Sequence, residues 1–384
     1  MIEIDRFACK TLRDNQQHGN VLARDWPIFE RDVRLFDYGS IREDVDLLCA
    51  GAPCQPFSVA GKGKAYGDER DLFASVVGAA QQLRPRAVLI ENVRGLYRTR
   101  FREYFEYLLL AIATPSLARG PRQTWREHLR ALQMRPDIDP TRDLRYDVHV
   151  NVVNAADYGV PQWRERVFIV AFRSDLTLHW SEPQPTHSIE ALLWEQWRSQ
   201  EYWRRHGIQR KRPGKVSRRF DQGIRMLEGI VVRPPGQAWR TVRDALSGLP
   251  RLRRSQRVEA LDNHYLNPGA RSYTGHCGSL LDEPAKTLKA GSHGVPGGEN
   301  CLALGGDRIR YFSVRECARI QTFPDDYRFS GPWIRKMRQV GNAVPVLLAQ
   351  VMASAIRQSL LSKVSTSTER IARVTAFRGS LRSG

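Results

Sequence analysis

The sequence predicts an α/β fold: a sheet flanked by helices, into which a second, smaller domain is inserted late in the chain. Three observations carry this. Short apolar runs at 45–50, 87–90, 147–153 and 166–172 alternate with helical stretches at 72–83 and 101–112, the βαβ rhythm of a largely parallel sheet. Between about 183 and 310 that rhythm lapses and Gly, Pro, Arg and His accumulate, as expected of an inserted unit. The chain has 384 residues, enough for about two domains and a sizeable core.

Each element has a local reason. The apolar runs are bounded by Gly, Pro or charged residues, which is how buried strands read. The helical return at 346–362 follows Gly341-Asn342-Ala343-Val344-Pro345, whose proline suits a first helical turn. The boundaries expected are 1–185 for the sheet domain, 186–310 for the inserted domain, 311–362 for the return to the sheet, and 363–384 for a Ser/Thr/Arg-rich disordered tail. Two stretches look like additions to a compact core. Residues 114–145 are Arg-rich with one short helix near 125–132, and 194–220 interleave Trp194, Trp197, Tyr202 and Trp203 with Arg and Lys. Contact with a phosphate backbone and a solvated surface helix are both open for each.

Charge narrows the partner. With 60 Lys+Arg against 41 Asp+Glu, the formal charge is +19 and the pI near 10.1, a balance that favours a polyanion. No apolar run in the sequence approaches the ~20 residues of a membrane-spanning helix, so nucleic acid is preferred over an anionic membrane. The six cysteines form no CxxC pair and read as reduced cytosolic thiols, with neither a disulfide framework nor a metal site expected.

Three constellations stand out. Gly51-Ala52-Pro53-Cys54-Gln55-Pro56-Phe57-Ser58 puts a thiol just beyond a buried strand, between two prolines that fix the backbone. That rim is where open α/β sheets bind ligands, although a loop cysteine without a role stays open. Glu91-Asn92-Val93 follows the apolar run 87–90 and would bring a carboxylate to the same rim, or cap a helix. Gln162-Trp163-Arg164-Glu165-Arg166 enters the run 167–172 with Gln162, Arg164 and Arg166 on one strand face. Such a face suits an anionic or strongly accepting ligand, or a salt-bridged sheet edge.

These motifs, together with Arg315-Glu316 in 313–327 and Gly341-Asn342-Ala343-Val344-Pro345, resemble the DNA cytosine-5 methyltransferases of bacterial modification systems. The resemblance runs in the family's order from about residue 3 to residue 349. It implies a Rossmann-like, S-adenosylmethionine-dependent sheet, a target-recognition domain, and transfer of a methyl group to carbon 5 of a flipped-out cytosine in a specific duplex site. In that reading Cys54 adds to carbon 6, Glu91 serves N3 with a carboxyl whose pKa burial raises, Arg164 and Arg166 contact the base carbonyl and the catalytic loop, and Asn92 holds that loop. DNA contacts are expected from Gln162, Lys286, Thr287, Lys289, Gly297, Gly298 and Asn300, with His276 and His293 as further donors. A restriction endonuclease is the expected companion, and the bacterial cytoplasm the expected location.

S-adenosylmethionine is the implied cofactor, with Glu3 at the ribose, Asp37 near the adenine, Leu72 as an apolar wall, and Asn342 and Val344 from the returning helix. The family's Phe-x-Gly-x-Gly loop is expected ahead of the first acid, yet only Met1 and Ile2 precede Glu3. The first βα unit is therefore expected to be missing, leaving apolar edges on its neighbours. Three readings are open: a start downstream of the true one, which is favoured; a complementary amino-terminal polypeptide, making this one subunit of a split enzyme; and a catalytically silent DNA-binding remnant. An RNA cytosine methyltransferase on the same sheet is a further alternative.

Overall fold

The computed structural model describes residues 1–52, 72–120, 122–134, 143–209, 217, 220–252, 261–272, 277–290 and 300–362. Strands β1 (Ile2–Glu3) and β2 (Phe29–Glu30) pair in parallel around helix α1 (Arg6–Gln17). They stand apart from the main sheet. That sheet has four strands, β3 (Leu47–Ala50), β4 (Ala87–Val93), β5 (Tyr146–Asn154) and β6 (Glu165–Arg173), in the order β3-β4-β6-β5. Among the described residues, β1, β2, β3 and β5 each have one free edge.

The expectation of a largely parallel sheet needs correction. Within that four-stranded sheet, among the described residues, only β3 and β4 pair in parallel; β6 runs antiparallel to both β4 and β5. The cause is the connection from β5 to β6, residues 155–164, which is too short to carry a chain back for a parallel crossover.

β6 is the centre of the core, and the alternation of its side chains builds both faces. Val167, Ile169 and Ala171 meet Tyr104, Leu108 and Ile112 of α3 (Arg102–Ala113) in one cluster, which also takes Phe73 and Ala80 of α2 (Phe73–Leu83). Phe168, Val170 and Phe172 lie in another with Leu348, Met352 and Ile356 of the helix Val346–Leu361. Coverage on both sides explains why this strand reads as an unbroken apolar run. The Arg-rich stretch 114–145 contributes α4 (Trp125–Met134), which buries Trp125, Leu129 and Leu132 in the α3 cluster.

Strand β7 (His187–Ser188), helices α5 (Ile189–Trp197), α6 (Glu201–Arg205) and α7 (Asp221–Met226), and strand β8 (Gln237–Ala238) enclose an aromatic core. Leu192, Tyr202, Trp203, Phe220 and Trp239 are all buried in it. This revises the reading of 194–220: its aromatics face inward, because they supply most of the apolar area available there. Trp203 Nε1 donates to the Gln196 carbonyl at 2.8 Å, so its one polar atom is satisfied.

A fourth cluster joins α8 (Val242–Leu246) and the segment around Ala285 and Leu288 to β9 (Cys301–Gly305), which pairs with β10 (Arg308–Tyr311), and to α9 (Val314–Ile320) and α10 (Trp333–Asn342). Leu302 and Phe312 share this core, so position 310/311 is no break in packing. Helix α11 (Val346–Leu361) follows a bend at Ala343-Val344-Pro345 and spans 16 residues, fewer than the ~20 of a bilayer crossing.

Candidate active site

Parallel pairing sets the rim. Ala50 lies opposite Ile90, so the chain leaving β3 emerges beside Glu91. Cys54, with 53–71, lies outside the described residues, as do Gly297, Gly298, His276, His293 and 363–384. Glu91 and Asn92 sit inside β4 rather than beyond it, which removes the helix-cap alternative. Antiparallel pairing with β6 carries the strand on to Val93. Asn92 is buried, and its Oδ1 accepts the Val93 N–H at 2.8 Å.

Val93 lies directly opposite Arg166. Glu91, two positions earlier on the same face, is its diagonal neighbour. The two side chains meet at 2.6 Å, Nε to Oε1, with 10% and 16% of their surface exposed. Burial lowers the Arg166 pKa, and Glu91 acts in the opposite direction. Arg166 Nη1 also donates to the Glu165 carbonyl at 2.8 Å, while Glu165 itself pairs with Arg94. A nearly dry carboxylate–guanidinium pair at a strand-end rim can hold a polar ring, the guanidinium meeting its acceptor atoms and the carboxylate its N–H donors.

Arg164 does something different from the contact role expected of it. It is fully buried, with Nη1 donating to the Leu288 carbonyl at 3.1 Å and Nη2 to those of Gly341 at 2.8 Å and Ala343 at 3.0 Å. Burial presses its pKa well down, Arg166 adds to this, and Glu91 opposes it. It therefore clamps three chain segments together instead of facing the rim.

Gln162 is likewise revised from a DNA contact to an interior group. Its Oε1 accepts the Leu288 N–H at 3.0 Å and its Nε2 donates to Gln321 Oε1 at 2.8 Å. Asn300 is buried too: its amide bonds both the N–H and the carbonyl of Lys289, at 2.8 and 3.0 Å, clasping the two ends of 289–300. Their solvent-facing roles fail because backbone groups in folded loops need partners, and these amides are the nearest ones. Thr287 donates to the Trp163 carbonyl at 2.7 Å, and Lys286 Nζ lies 3.9 Å from Cys277 Sγ. Lys289 is exposed. Sequence reasoning quoted Arg315 without a role; it is fully buried and donates to the carbonyls of Asp262, Pro324 and Tyr327. It missed Gln321, since a lone glutamine after a helix carries no pattern.

The cofactor candidates fall in two groups. Glu3 ends β1, and Asp37 lies in the segment after β2, so parallel pairing brings both to one end of that pair. Glu3 Oε1 accepts the Asp5 N–H at 2.8 Å and Asp37 Oδ1 the Gly39 N–H at 3.0 Å. Each carboxylate keeps a second oxygen for hydroxyl or amine donors, which suits a ribose and an adenine. The Asp37 turn packs against α2, which Leu72 precedes. Asn342 and Val344 flank the Ala343 carbonyl held by Arg164. Among the described residues no hydrogen bond links the two groups.

A mixed α/β sheet with this rim and clamp is the framework of a methyltransferase fold. Spodoptera frugiperda DNMT2 aligns with a TM-score of 0.53 at 15% identity, covering 93% of this chain and 91% of that one. S. pombe Dnmt2 methyltransferase aligns with 0.50 at 15%, covering 94% and 91%. The family described as C-5 cytosine-specific DNA methylase matches residues 1–113 and 138–358. This chain belongs to that family. It is 32% identical over 368 residues to Type II methyltransferase M.Eco47II of Escherichia coli, covering 94% of this chain and 74% of the relative. It is 29% identical over 372 residues to M.NgoMIV of Neisseria gonorrhoeae, covering 94% and 90%.

Proposed function

We propose that this chain methylates carbon 5 of a flipped-out cytosine at a specific site in duplex DNA, with Cys54 as the covalent nucleophile. The observation that carries this reading is the Glu91–Arg166 pair, held at the rim where the chain leaves β3 towards Cys54. Addition of the thiolate to carbon 6 makes carbon 5 electron-rich. Glu91 offers N3 a proton or hydrogen bond, and Arg166 stabilises charge on the adjacent carbonyl. Asn92 and Arg164 act as positioning residues. S-adenosylmethionine supplies the methyl group when bound; Glu3, Asp37, Leu72, Asn342 and Val344 are the residues proposed to hold it. After transfer, loss of the carbon 5 proton and departure of Cys54 restore the ring.

Flipping a base costs a few kcal/mol, and phosphate contacts by Lys286 and Lys289 offset it, with the 186–310 region as the recognition unit; the Thr287 hydroxyl is taken by the Trp163 carbonyl. A Type II restriction endonuclease is the proposed companion, and the cytoplasm the proposed site of action. The test is a denaturation-resistant adduct with 5-fluorocytosine duplex DNA in the presence of S-adenosylmethionine. Cys54→Ser should abolish it; an adduct that persists in that variant refutes the assignment. A catalytically silent DNA-binding protein would give no adduct.

A further inference from the structure

Gln321 follows α9, is fully buried, and has no part in the chemistry above. Its amide offers one acceptor oxygen and two donor hydrogens. The oxygen accepts from Gln162 Nε2 at 2.8 Å, and Nε2 donates to the carbonyls of Val340 at 2.7 Å and Ala343 at 3.0 Å. Its backbone carbonyl accepts the Val346 N–H at 3.0 Å. Gln162 in turn accepts the Leu288 N–H at 3.0 Å. The relay is directional: Leu288 donates to Gln162, Gln162 to Gln321, and Gln321 to the bend between α10 and α11. Flipping either amide would set donor against donor.

The two ends of this relay lie in segments with different tasks. Leu288 sits between Thr287 and Lys289, and Ala343 between Asn342 and Val344. The segments also touch without slack, since a Cβ on Gly341 would lie 2.6 Å from the Lys289 carbonyl carbon. A shift of 286–289 on a phosphate backbone must therefore be taken up by the bend. We propose that Gln321 is a positioning residue that couples DNA binding at 286–289 to cofactor binding at the α10–α11 bend. This rests on the functional reading above.

Coupling between two ligands is reciprocal and can be measured directly. S-adenosylhomocysteine, which permits no turnover, is titrated into the full chain with and without saturating mixed-sequence duplex DNA. In the wild type, DNA should tighten it by about fivefold or more, the range of ordinary allosteric coupling. Gln321→Met, and Gln321→Glu, which keeps the acceptor but loses both donors, should bring the factor below about twofold with DNA affinity alone little changed. Absence of coupling in the wild type, or undiminished coupling in either folded variant, overturns the proposal. Failure of S-adenosylhomocysteine to bind at all would count against the functional reading instead. Amide exchange then decides the coupling: DNA should slow exchange at Val346 in the wild type, and no slowing there overturns it even if neither variant folds.

Discussion

Arg166 reaches Glu91 across two strands at 2.6 Å, and the pairing of Val93 opposite Arg166 is what places them. Two consequences follow from so little surrounding water. The pair is geometrically fixed, and removing either member leaves the other charged in a poorly hydrated site.

Glu91→Gln should lower methyl transfer by roughly 10²–10⁴-fold, the usual worth of a positioned acid or base. DNA affinity should stay within a few-fold, because Gln keeps the shape. Incorporation of labelled methyl groups measured beside a DNA binding isotherm checks this, and a parallel fall in both would assign Glu91 to binding.

Arg164→Met should act on stability. It leaves the buried carbonyls of Leu288 and Gly341 without their Arg164 donor and Ala343 with Gln321 alone, a loss on the order of 3–5 kcal/mol by analogy with broken buried charge networks. A lower urea midpoint at unchanged slope is the expected result.

Gly341→Ala would set a Cβ 2.6–2.7 Å from the backbone of Lys289 and Ala290. Backbone cannot swing aside as a flexible side chain does, so a cost of about 1–3 kcal/mol and weaker DNA binding are expected. Gly78→Ala is the control. Nothing lies within 4 Å of its added carbon, and in the interior of α2 it should stabilise by roughly 0.5–1 kcal/mol.

His128 gives a pH dependence with a definite sign. Its Nδ1 meets the Tyr107 hydroxyl at 3.3 Å and its Nε2 the Leu117 carbonyl at 2.9 Å. The neutral ring satisfies both, donating at Nε2 and accepting at Nδ1. Burial, the largest cause, lowers its pKa; the bond to Leu117 opposes this. The unfolded chain therefore takes up the proton first. This contribution to stability is full above about pH 6.5 and is lost as pH falls from there through the folded value. In denaturant titrations below about pH 6.5, wild-type stability should fall with pH more steeply than that of His128→Phe, and equal slopes in the two would refute the assignment.

The sequence is legible where chemistry forces residue type. Glu91 and Arg166 were singled out by the motif resemblance, and β6 by its apolar run, whose positions 166–172 are all buried. Arg164, Gln162 and Asn300 were read by the same logic, and there it failed. Polar residues in a motif can serve the ligand or the backbone, and spacing does not distinguish the two.

The family and the four strands of the main sheet were thus legible in local pattern and order along the chain. The inward aromatics of α6 and the Gln162–Gln321 relay were decided by tertiary structure alone. Their partners lie far away in sequence, up to 159 residues for the two glutamines. A buried donor or acceptor takes whichever partner the packing brings within reach.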